Sequence, residues 1–147
     1  LSDKGIIYFY ARAVRGSQQT QNLTDNGDGT ITDTNTGFMW EHKTIENMYD
    51  TYTWQEALAF CENLILNNDG EWTSGNPNTS GIKYDDWRLP TIKELYSLMD
   101  FSGIDLATNS TSGASPFIDD SVFVFNYGDT SVGDRLIDSQ WICSALF

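Results

Sequence analysis

Residues 5–16, "GIIYFYARAVRG", place Ile6, Ile7, Tyr8, Phe9 and Tyr10 in one unbroken run of β-branched and aromatic side chains. That is the composition of a strand buried on both faces. No neighbouring segment is an obvious pairing partner, and a buried-type strand with nothing over it is an aggregation hazard. Residues 21–40, "QNLTDNGDGTITDTNTGFMW", read differently: short strands joined by tight turns at Asn26-Gly27, Asp28-Gly29 and Asn35-Thr36-Gly37, where glycine supplies the positive φ of a hairpin.

The period then changes. "TWQEALAFCENLIL" predicts a helix, with Thr53 and Glu56 at capping-box spacing and Ala57, Leu58, Cys61, Leu64 and Ile65 as its apolar stripe. Asn67-Asn68-Asp69-Gly70 stops it, and the Gly/Asn/Ser-rich residues 68–85 predict a long surface loop. "DWRLPTIKELYSLMD" predicts a second helix opened by Thr91 and Glu94, with Leu95, Leu98 and Met99 turned to the core. A polar loop over about residues 102–115 leads to a short strand at Val122 to Phe125, and "RLIDSQWICSALF" is strand-like again. Both ends of the chain therefore read as strands in search of a partner. Strands mixed with two segregated helices make an α+β domain, divided as an N-terminal strand and linker over 1–20 and a body over 21–147.

The length of 147 residues suits one domain with a core, and 14% aromatic residues with five tryptophans argue against disorder despite a net charge of −13. The charge is split. Residues 1–16 carry Lys4, Arg12 and Arg15 against Asp3, a net +2, which leaves −15 on the remainder. A basic apolar strand and an acidic body attract one another, within the limits of screening. The acidity speaks against a nucleic-acid partner, since no basic stripe exists to meet phosphates, and no stretch approaches the roughly 18 apolar residues of a membrane span. A start at Leu1 points to a processed product. Few lysines, many Ser, Thr, Asn and aromatic residues, and the sequons at Asn22, Asn78 and Asn109 give the chain an extracellular character.

Signals for catalysis are thin. His42 is the single histidine and lies in a polar stretch without a recognisable triad arrangement, and no zinc spacing or phosphate loop is present. We therefore expect no enzyme and no cofactor. In "DNGDGTITD", Asp25, Asp28 and Asp33 are candidate Ca²⁺ ligands from a turn outside the EF-hand class. With Gly29 at the invariant glycine, an EF loop would run from Thr24 to Asn35, and with Gly27 from Asn22 to Asp33, neither ending in the needed glutamate. The competing reading is a hairpin turn whose Asp and Asn side chains bond their own backbone. Tyr49, Tyr52, Trp72 and Tyr84 are candidates to stack on a surface glycan, with core packing as the competing reading.

Five stretches in order, "DNGDGTITDTNTGFMW", "TWQEALAFCENL", "DWRLPTIKELYSLMD", "SPFIDDSVF" and "IDSQWICS", resemble the Lcl C-terminal domain family, named after a Legionella collagen-like surface protein. The resemblance covers roughly residues 22–145. It implies a C-type-lectin-like fold, in which Trp40, Trp54, Trp87, Arg88, Pro90, Glu94 and Trp141 serve the structure. "YARAVRG", residues 10–16, resembles the strand "YVRCVRG" with which the family's domain ends, so the closing strand is displaced to the N-terminus. The family's closing-strand cysteine falls at Ala13, and Cys143 stands where the family has serine. The usual disulfide is thus replaced by a Cys61–Cys143 pair or by two buried thiols.

Three arrangements follow from the resemblance. The strand inserts into its own body, or into a neighbouring copy to build a pilus-like homopolymer, or the chain is a piece of a tandem array. The expected function is that of an extracellular adhesive subunit assembled through Ile6, Ile7, Tyr8, Phe9 and Tyr10, with Arg12 and Arg15 meeting the acidic body. The alternative is a monomeric or tandem-repeat adhesin module that binds a polysaccharide.

Overall fold

The structure, a computed structural model, describes residues 15, 21–47, 50–104, 112–125, 127–128, 131 and 143–144. The expected strand over residues 6–10, with Arg12, Tyr49, Asn109 and Trp141, lies outside the described residues. Arg15 is exposed.

The domain is α+β. Among the described residues, two three-stranded antiparallel sheets accompany two helices, in the order β1 (Leu23–Asp25), β2 (Thr30–Asp33), β3 (Met39–Glu41), α1 (Trp54–Asn63), β4 (Leu64–Asn67), β5 (Trp72–Ser74), β6 (Ile82–Tyr84) and α2 (Ile92–Ser97). The first sheet is a meander, β1-β2-β3, and the second runs β5-β4-β6.

The meander follows from its turns. Gly27, Gly29 and Gly37 all have positive φ. Asp25 accepts from the Gly27 N–H at 2.8 Å, and Asp33 accepts from the Asn35 N–H at 3.0 Å and the Thr36 hydroxyl at 2.9 Å. Ile31 on β2 is fully buried and packs with Leu98 and Phe123, with Leu23, Trp40, Ile118 and Val122 around them.

Both helices start as their sequence dictates. Thr53 and Glu56, and Thr91 and Glu94, form complete capping boxes, each satisfying two otherwise orphaned backbone donors. The first helix ends earlier than its apolar stripe predicts. Leu64 leaves the helix with ψ at 130°, and Leu64, Ile65 and Leu66 become strand β4, buried along its whole length. A short continuous apolar run fits a buried strand as well as a helix, and pairing on both sides decides it. The predicted loop 68–85 accordingly contains those two partners, β5 and β6. Val122 to Phe125, expected as a strand, form a turn and irregular chain instead. The Val122 and Phe123 N–H groups both donate back to the Asp119 carbonyl. Of the three residues expected to face the core from α2, Leu98 is buried, while Leu95 and Met99 are half-buried.

Candidate functional site

Among the described residues the largest group of touching aromatic rings lies at the second sheet. In β4, Leu66 has no exposed surface and stands opposite Trp72 on β5 and Tyr84 on β6. The backbone bonds Asn67–Glu71 and Gly75–Asn63 put Leu66–Trp72 in a non-hydrogen-bonded pair, the closer-spaced kind. Trp87, just past β6, completes the group. Its ring centroid lies 5.1 Å from that of Trp72 and 6.3 Å from that of Tyr84, the latter edge-on. Trp72 and Tyr84 are half-buried, each packed against Trp87 with part of its surface still exposed. The indole N–H of Trp87 is buried without a hydrogen-bond partner among the described residues, as is that of Trp40.

The β1–β2 turn closes over this cluster. A Cβ on Gly29, whose φ is +87°, would lie 2.6 Å from Trp72 Nε1, so only glycine lets the turn approach the indole. Asp28 forms an ion pair with Lys83 on β6 and accepts from the Thr30 N–H and hydroxyl. Partial burial works against its charge, yet the Lys83 and Thr30 bonds hold its carboxyl below the usual range. Lys83 also lies 5.7 Å from the Tyr84 ring centroid. Nothing in the sequence marks Lys83 as the partner of an aspartate 55 positions away, nor Gly29 as the seat of Trp72.

The loop that follows β4 is organised by Asn67, another residue whose role the sequence conceals. Fully buried, Asn67 donates to the Glu71 carbonyl at 2.8 Å and the Thr73 hydroxyl at 3.1 Å, and accepts from the Asn78 N–H at 3.0 Å. The Asn78 side-chain amide, the expected glycan acceptor, donates to Asp69 at 2.8 Å and Glu71 at 3.2 Å. The exposed Asn22 amide donates to Thr34 at 2.6 Å.

The three candidate Ca²⁺ ligands are turned to other tasks. Asp25 and Asp33 bond the backbone of their own turns, and Asp28 bonds Thr30 and Lys83. Among the described residues no group of three or more His, Cys, Asp or Glu side chains is placed to hold a metal ion. His42 Nδ1 lies 3.6 Å from Asp25 Oδ2, too far for a hydrogen bond, and no described nucleophile bonds the imidazole.

Several of the residues expected to serve the structure make specific bonds. Arg88 grips Glu94 with two bonds, 2.8 and 2.6 Å. Together with the Thr91 backbone N–H, that grip holds the Glu94 carboxyl down at about 2. The Trp54 indole donates to the Cys143 carbonyl at 3.1 Å, and the Ser144 N–H to the Pro90 carbonyl at 2.8 Å. These bonds seat the "CS" segment against α1 and the "WRLP" stretch. Cys143 is buried and Cys61 half-buried, with no disulfide between them, and burial pushes the Cys61 thiol up. On α1, Phe60 stacks on Tyr52 at 4.9 Å with Lys43 over its ring.

Such a cluster leaves part of the Trp72, Tyr84 and Trp87 rings exposed for stacking. Among the described residues no helix is long and apolar enough to cross a membrane. No curated protein and no solved structure matches the chain. The family model of the Lcl C-terminal domain matches residues 29–142. With most of its length so matched, the chain belongs to the Lcl C-terminal domain family.

Proposed function

We propose that this chain is an extracellular, non-enzymatic adhesive module of C-type-lectin-like fold, a subunit of a bacterial surface fibre. Copies join by exchanging the strand Ile6–Tyr10. The surface association of the family supports the setting. The observation that carries the assembly is the order of segments: "YARAVRG", residues 10–16, resembles the family's closing strand, yet it precedes the body that the family model matches from residue 29 onward. The charge split of +2 against −15 favours contact between strand and body. In the described meander β3 is an edge strand, and its register turns the main-chain groups of Met39 and Glu41 away from β2, as strand addition requires.

Light scattering and negative-stain electron microscopy on the intact chain and on a copy lacking residues 1–16 test the proposal. Filaments that vanish with the deletion support exchange between copies. A compact monomer for the intact chain overturns it and returns the strand to its own body.

A second reading rests on the cluster Trp72, Tyr84 and Trp87, which fits a neutral glycan better than a sulfated one on a body this acidic. A shift in tryptophan emission on titrating neutral oligosaccharides, lost in Trp72→Ala, supports it. An unchanged spectrum removes it.

A further inference from the structure

We draw no further inference here: the strongest candidate, the exposed apolar strip of Ile92 and Tyr96 on α2 with Phe101 and Ile104 beyond it, carries nothing because nothing in the structure shows what covers it.

Discussion

Among the described residues the two sheets have three strands each and differ in construction. In β1-β2-β3 every connection is a short turn, and Asp25, Asp28 and Asp33 each bond groups two or three residues ahead within those turns. Asp33 is buried and serves Asn35 and Thr36 next door. In β5-β4-β6 the central strand is apolar on both faces, and its buried asparagine, Asn67, reaches eleven positions ahead to Asn78. The first sheet thus combines local turn chemistry with the burial of Ile31, whereas the second rests on the burial of β4. The meander is accordingly most vulnerable at its turns, the second sheet at Leu66 and Asn67.

The largest break in this comparison should come from Leu66→Ala. A fully buried leucine between Trp72 and Tyr84 leaves a cavity when truncated, at a cost of about 2–5 kcal/mol. Urea denaturation followed by tryptophan fluorescence reads it, and a loss well under 1 kcal/mol would show that β4 is not the centre of its sheet. Asn67→Ala comes next, at about 1–3 kcal/mol, because the Thr73 hydroxyl and the Asn78 N–H lose a partner. Faster proteolysis within residues 68–81 should accompany it.

Gly29→Ala tests the join between the sheets. Its left-handed φ and the close approach to Trp72 Nε1 predict a loss of more than about 1 kcal/mol. In a Trp72→Phe background the steric part should disappear and the backbone part remain. Equal losses in both backgrounds would show that the turn does not rest on the indole.

The smallest effect belongs to the capping box of α2. Glu94 sits at about 2, below its ordinary 4.5, so its contribution is fully present above about pH 4.5 and is lost as pH falls through 2. Stability measured against pH should show that acid-side loss in the native chain and a smaller one in Glu94→Gln. Identical profiles would leave the Arg88–Glu94 grip without thermodynamic weight.

This asymmetry also explains what could be read from the sequence. Both capping boxes and the glycine turns of the meander rest on residues a few positions apart, and those spacings are visible in the chain. The Leu64-Ile65-Leu66 run was not assignable alone, because its helical stripe and its buried-strand reading differ only through β5 and β6. Those partners are three residues each, inside a stretch whose composition is that of a loop. The site was half visible: Trp72, Tyr84 and Trp87 stand out as aromatic residues, but what gathers them is Leu66, Gly29 and the Asp28–Lys83 pair. Such contacts depend on the fold having formed, and no local pattern encodes them. Val122 to Phe125 have strand composition, yet Asp119 turns the chain back before a ladder begins.

The proposed assembly requires that the body take up residues 6–10 as a separable strand. Its most direct test is the urea midpoint of residues 21–147, titrated with a peptide of residues 1–16 and with a scrambled version. A saturable rise in midpoint is expected with the native peptide and none with the scrambled one. An unchanged midpoint with both would contradict it.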